Sequence, residues 1–89
     1  MYANKKILIT GASSGLGKAI AIAYAREKGQ IINLSRNVEK IENLNKTLNK
    51  INNIENIGYS VDISKYEEIL KIKNNLLREQ LLPDIIIKF

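Results

Sequence analysis

The chain has 89 residues, with 14 lysines and arginines against 9 aspartates and glutamates, for a formal charge of +5. That length gives room for one small domain, which buries roughly 60–65% of the surface its unfolded form exposes. The sequence has no cysteine and no histidine, which excludes disulfides, thiol nucleophiles and the commonest metal ligands.

The pass along the chain begins at Met1-Tyr2-Ala3-Asn4-Lys5-Lys6. The two lysines imitate the start of a leader, but the apolar run after them is too short for one. Lys6-Ile7-Leu8-Ile9-Thr10 is apolar, β-branched and closed by a glycine, the pattern of a buried parallel strand. Gly11 to Gly17 is a turn rich in glycine and serine. From Leu16 the apolar residues Leu16, Ala19, Ile20, Ala23 and Tyr24 keep helical spacing, and Gly29 is expected to end that helix.

Gln30 to Ser35 contains Ile31, Ile32 and Leu34 and reads as a second strand. Asn37 is placed to cap a second helix, with Glu39 in its first turn. Ile41, Leu44, Leu48 and Ile51 mark the inward face of that helix, and Asn52-Asn53 breaks it. The segment from Glu42 to Asn56 is rich in asparagine, yet its apolar spacing keeps it helical. Ile57 to Val61 is a third strand weakened by Gly58.

Ser64 and Glu67 form an S-x-x-E capping box for a third helix. Its expected inward residues are Ile69, Leu70, Leu76, Leu77 and Leu81, and Pro83 stops it. Asp84 to Lys88 is a fourth strand. The alternation of strand and helix implies a parallel sheet of α/β class with helical crossovers. Right-handed crossovers give a doubly wound sheet of order 3-2-1-4, with the first two helices on one face and the third on the other. The fourth strand is then an open apolar edge, a site for self-association.

Thr10-Gly11-Ala12-Ser13-Ser14-Gly15-Leu16-Gly17 follows a strand and opens a helix, the context of a dinucleotide site. Gly11 allows a tight turn, Gly15 leaves the backbone open to a pyrophosphate, and Gly17 lets helix and strand pack closely. Backbone N–H groups and the positive helix end favour phosphate, and Ser13 and Ser14 offer hydroxyl donors.

This T-G-x-x-x-G-x-G spacing resembles the fingerprint of the short-chain dehydrogenase/reductase family. The resemblance runs over the whole chain. Leu34-Ser35-Arg36-Asn37 is similar to the family's second strand end, Val61-Asp62-Ile63-Ser64 to its segment after the third strand, and Asp84-Ile85-Ile86-Ile87 to the start of its fourth strand. The resemblance implies a Rossmann-type fold, with residues 1–89 as an NAD(P)-binding segment and an incomplete domain. It implies an oxidoreductase that moves hydride between a nicotinamide and a carbonyl or alcohol substrate. The cofactor residues it implies are Gly11, Ser13, Ser14, Gly15, Leu16, Gly17, Ser35, Arg36, Asp62 and Ile63.

Where NAD-binding relatives carry an acid at the end of the second strand, this chain has Ser35 and then Arg36. With no carboxylate to repel a 2′-phosphate and a guanidinium to grip it, the expected cofactor is NADP. Ser35 is expected to add one hydroxyl bond. By resemblance Asp62 bonds the adenine amino group beside the Ile63 backbone.

The family's catalytic tyrosine, lysine, serine and asparagine lie, by resemblance, mostly in the second half of the fold, so no catalytic residue is expected within this chain. Tyr24-Ala25-Arg26-Glu27-Lys28 fits Y-x-x-x-K but sits on the apolar face and C-terminal end of the first helix. Lys88 and Phe89 stand where the family has the start of N-N-A-G. The reading is therefore a truncated enzyme, with a non-catalytic nucleotide-binding module or a non-functional remnant as the alternative. A nucleic-acid binder is disfavoured, because the lysines are scattered among acids and follow a codon bias toward Lys, Asn and Ile. No stretch reaches the ~20 apolar residues of a membrane span, and a soluble, cytoplasmic protein is expected, in keeping with the absence of cysteine.

Overall fold

The computed structural model describes residues 1–12 and 15–88. Four strands and three helices alternate: β1 (Lys6–Thr10), α1 (Gly15–Arg26), β2 (Gln30–Ser35), α2 (Val38–Asn52), β3 (Ile57–Ser60), α3 (Tyr66–Arg78) and β4 (Ile85–Ile87). All pairings are parallel and the order is β3-β2-β1-β4. The register sets Ile7 beside Ile31, Leu8 beside Ile86 and Leu34 beside Tyr59. The doubly wound sheet expected from the alternation is the one observed.

Strand side chains alternate between two cores. Ile7, Ile9 and Ile31 pack with Ala21 and Ala25 of α1 and with Leu44 and Leu48 of α2. Leu8, Ile32 and Leu34 pack on the other face with Val61 and with Ile72 and Leu76 of α3. The first two helices therefore share one face and the third takes the opposite one. α2 follows its sequence closely: the Asn37 side chain accepts the Lys40 N–H, and Asn53 closes the helix in the left-handed region.

The inward faces of α1 and α3 differ from those expected. In α1 the buried residues are Gly17, Ala21 and Ala25, while Leu16 is 66% exposed and Ala19 and Ala23 face solvent. Ile20 and Tyr24 are partly buried against the core. The helix is apolar on most sides, so several stripes compete, and the smallest residues win the closest approach to the sheet. In α3 Ile72 and Leu76 are buried, whereas Ile69, Leu70 and Leu77 are exposed and Leu81 is partly buried beyond the helix end. One helix on this face leaves part of its own apolar surface uncovered.

Three local expectations also change. Gly29 does not take the left-handed turn after α1; Lys28 does, with φ 71°, and the Gly29 N–H donates to the Tyr24 carbonyl. Glycine is needed at 29 for space, since a Cβ there would crowd Ile7 Cδ1 at 2.6 Å. The Ser64–Glu67 capping box does not form. Asp62 Oδ1 accepts both the Ser64 N–H and its hydroxyl, so the helix starts later, with Lys65 at the cap position and no side-chain cap bond. Glu68, rather than Glu67, reaches back to accept the Asp62 N–H. β4 is shorter than Asp84 to Lys88, because the Asp84 carboxylate accepts the Lys6 N–H as a clip at the strand's start. Phe89 lies outside the described residues.

Candidate functional site

The expected site residues fall at the carboxyl ends of β1, β2 and β3, on one rim of the sheet. Thr10 ends β1, and Gly11 turns the chain with φ +73°, a conformation that glycine adopts without the usual Cβ clash. Its N–H donates to the Leu34 carbonyl, tying the loop to β2 at 2.9 Å. Gly15 opens α1 with φ +59°, and among the described residues, their chain neighbours aside, no heavy atom lies within 4 Å of where a Cβ would stand on Gly11 or Gly15. On Gly17 a Cβ would fall onto the Gly11 carbonyl oxygen, so only glycine permits this contact of helix and loop. The three glycines thus do two jobs: Gly17 closes the packing, while Gly11 and Gly15 leave open space. Ser13 and Ser14, the expected hydroxyl donors, lie outside the described residues.

The first turn of α1 carries no acid, which leaves the positive end of the helix dipole uncompensated beside that open space. Leu16 is exposed at the same helix start. An anionic group can approach here, because both the unpaired N–H groups of a first helical turn and the local field favour it.

At the end of β2, Ser35 is half-buried and Arg36 is exposed. The Ser35 carbonyl accepts the Val61 N–H, and the Arg36 carbonyl accepts the Ser60 hydroxyl, so β2 and β3 are laced together beyond their ladder. One Arg36 guanidinium nitrogen pairs with Asp62 Oδ1 at 3.0 Å. Its side chain remains 74% exposed, with further N–H donors of the planar fork available. Arg36 and Asp62, expected to hold different parts of a ligand, hold each other.

The Asp62 carboxyl is pushed below the usual carboxylate range. Its hydrogen bonds from the Ser64 hydroxyl and N–H do most of this; desolvation opposes them, and the Arg36 charge and hydrogen bond add smaller contributions in the same direction as Ser64. All these bonds converge on Oδ1, and among the described residues Oδ2 takes no partner. Ile63 follows and is 37% exposed.

Asn33, absent from the expected site residues, belongs to this rim. It is fully buried, and its Oδ1 accepts the Ala12 N–H at 3.3 Å and the Ser35 hydroxyl at 3.0 Å. The signal in the sequence was a lone amide inside the apolar run Ile31-Ile32-Asn33-Leu34. Tyr24 and Lys28 are far from the rim along α1: the Tyr24 ring packs edge-on against Tyr2 with centroids 4.9 Å apart, at the opposite end of the helix. An apolar groove of about 460 Å³ opens on the α3 face between Leu8, Leu34, Ile72, Leu76 and Ile86, and reaches the carboxyl rim at Thr10, Val61, Ile63 and Lys88. No group of acids that could hold a metal ion occurs among the described residues. No helix of the described residues is long and apolar enough to cross a membrane.

A glycine loop between a parallel strand and a helix, at the carboxyl rim of a 3-2-1-4 sheet, defines a chain of the Rossmann type. The sequence profile of short chain dehydrogenases matches residues 5–87, and the chain belongs to that family. It is 42% identical over 69 residues to an uncharacterized oxidoreductase of Listeria monocytogenes, covering 78% of this chain and 27% of that protein. The alcohol dehydrogenase of Thermococcus sibiricus, solved with 5-hydroxy-NADP, superposes with a TM-score of 0.84 at 30% identity, over 92% of this chain and 35% of its own. The L-sorbose reductase of Gluconobacter frateurii, solved with NADPH and L-sorbose, gives a TM-score of 0.87 at 26% identity, over 94% of this chain and 32% of its own. The chain thus spans about a quarter to a third of the lengths of these relatives.

Proposed function

We propose that this chain is the cofactor-binding segment of an NADP-dependent oxidoreductase that interconverts carbonyl and alcohol groups. The observation that carries the proposal is the open space over Gly11 and Gly15, beside the acid-free start of α1 and within one rim of Arg36. The residues present fit a dinucleotide. Gly11, Gly15, Leu16 and Gly17 would receive the pyrophosphate on backbone N–H groups, with Ser13 and Ser14 in the same loop. Arg36, with Ser35 beside it, would face the ribose 2′ position, and Asp62 Oδ2 with the Ile63 backbone would face the adenine. The cofactor supplies the hydride, and this chain's residues supply its binding and orientation. In two structurally similar proteins, an L-sorbose reductase and an alcohol dehydrogenase, the bound molecule is NADPH or 5-hydroxy-NADP.

The test is cofactor preference. Arg36→Ala removes the only guanidinium on this part of the rim, and a charge-assisted bidentate contact is worth about 1.5–3 kcal/mol. Binding of NADPH by the full chain is expected to exceed that of NADH by at least about tenfold, and Arg36→Ala to erase the difference. Equal binding of the two by the unmodified chain would refute NADP as the cofactor.

The non-catalytic reading has its own support. Among the described residues two Y-x-x-x-K pairs occur, Tyr2 with Lys6 and Tyr24 with Lys28, and both lie away from the carboxyl rim, at the amino end of β1 and the C-terminal end of α1. On this reading the segment binds nucleotide without turnover until the remaining residues of an active site are supplied. The exposed edge of β4, where Ile86 is 67% exposed, and the groove beside it would then receive that further structure or a second copy of the chain.

A further inference from the structure

Three lysines that are scattered in the sequence come together at the amino end of the sheet, away from the proposed dinucleotide rim. Lys5 and Lys6 lead into β1 and Lys28 lies between α1 and β2. With Asn4, Gln30 and Ile54 they line a cavity of about 280 Å³ at the amino ends of β1 and β2. Its walls come from three separate segments, and hydrogen bonds hold them in place. The Tyr2 N–H donates to the Glu27 carbonyl, the Lys5 N–H to the Tyr2 carbonyl and the Gln30 N–H to the Lys5 carbonyl. The Gln30 side-chain amide donates to the Glu55 carbonyl at 2.8 Å, which ties β2 to the segment that carries Ile54.

The lining holds three cations and no acid. Among the described residues none of the three lysines has an ion-pair partner. Of the acids next to these segments, Glu27 pairs with the N-terminal ammonium and Asp84 spends Oδ2 on the Lys6 N–H. Glu55 is exposed and does not line the cavity. Like charges around one cavity repel unless a counter-charge joins them. Lys28 adds a second cost: it stands in the left-handed region with φ 71°, past the end of α1, where glycine is the least strained residue. A cation there suits the helix dipole, but Arg26 already places one in the last turn.

We propose that Lys5, Lys6 and Lys28 form a binding site for a compact polyphosphate, an ion of two or more linked phosphate groups. Lysine ammonium groups bind phosphate as point charges and need no fixed fork geometry. Three of them around one cavity match an ion of several charges, and a single phosphate leaves part of that charge uncompensated. The site shares no residue with the dinucleotide rim and does not rest on that reading. The two can be occupied together, because they lie at opposite ends of the strands.

Residue-resolved NMR titration of the full chain with inorganic pyrophosphate, and with orthophosphate beside it, tests the site. Amide shifts report the two rims separately, so pyrophosphate held by the glycine loop is told apart from pyrophosphate held here. Saturable shifts at Lys5, Lys6, Lys28 and Gln30 are expected, with a Kd for pyrophosphate at least about fivefold below that for orthophosphate. Lys28→Gly removes the charge and relieves the left-handed backbone, so the chain is expected to fold at least as stably and to bind pyrophosphate about fivefold more weakly. Lys28→Arg keeps the charge and stays within about twofold. Lys5→Gln gives a second measure of the same loss without touching the turn after α1. Lys40→Gln, in a different cavity, leaves the affinity unchanged. Shifts confined to Gly11, Gly15 and Gly17 overturn this site while supporting the dinucleotide reading. Orthophosphate bound as tightly as pyrophosphate, or equal losses from Lys40→Gln and Lys28→Gly, reduce the effect to loose surface attraction and overturn it as well.

Discussion

Both rims of the sheet carry polar side chains, and they are built on opposite plans. At the amino ends of β2 and β3, Asn49, Asn52 and Asn56 bond one another and the backbone. Asn56 Oδ1 accepts the Ile31 N–H and an Asn52 N–H, and Asn52 also donates to the Gly29 carbonyl. Asn56 in turn donates to Asn49 Oδ1 and Asn52 Oδ1. This rim uses its amides to satisfy buried strand ends, as a buried polar network must. At the carboxyl ends the polar groups flank open space: among the described residues, chain neighbours aside, nothing stands over Gly11 and Gly15, and Arg36 reaches into solvent. Density of polar residues therefore says little about where a ligand goes. What separates the rims, among the described residues, is whether the polar side chains close on one another and on strand ends, as Asn52 and Asn56 do, or flank open glycine backbone, as at Gly11 and Gly15.

The comparison breaks first at Gly17. Gly17→Ala drives a methyl into the Gly11 carbonyl, a backbone atom that cannot swing aside. A loss of roughly 2–3 kcal/mol in urea unfolding is expected, with nucleotide binding lost as well. Asn56→Ala should cost about 2 kcal/mol, because it strands the Ile31 N–H at a buried position. It should nevertheless leave the preference between NADPH and NADH untouched; a changed preference would mean that the two rims communicate.

The smallest effect concerns Asp62. Its carboxyl titrates lower in the folded chain than in the unfolded one, chiefly through the two Ser64 bonds and then the Arg36 charge. A group depressed in this way contributes its full stability above the unfolded value and loses it as pH falls through the folded value. Thermal unfolding of Asp62→Asn, compared with the unmodified chain, should therefore show a gap that is constant near neutrality and closes below roughly pH 4. Solvent screening keeps that gap small. A gap that widened on acidification would reverse the sign of the argument.

Most of the architecture was legible because β1, β2 and β4 are mainly apolar runs and Gly11 and Gly29 mark strand boundaries. The 3-2-1-4 order, the division of helices between faces and the Asn37 cap all follow from such local signals. The inward faces of α1 and α3 were not legible. Leu16, Ala19 and Ala23 form as good a stripe as Gly17, Ala21 and Ala25, and only the close approach at Gly17 selects the second. Ile72 was overlooked in α3 because leucines surround it on several faces. At the site, the glycine roles could be read from spacing, but the bonds of Asn33 could not, since its partners Ala12 and Ser35 come from different segments. The Arg36–Asp62 pair joins residues 26 apart for the same reason. Ser64 failed as a cap because Asp62, two residues earlier, competes for the same hydroxyl.

The clip between Lys6 and Asp84 also sets an order of events along the chain. It is made twice, by the Lys6 N–H to the Asp84 carboxylate and by the Asp84 N–H to the Lys6 carbonyl, across a separation of 78 residues. Closing so long a span costs more chain entropy than any other step in the sheet. The glycine loop, Asn33, Arg36 and Asp62 all precede Ser64. A chain emerging from the ribosome thus possesses every proposed rim residue before it possesses β4. The fourth strand arrives as a late addition to a rim whose groups are already present.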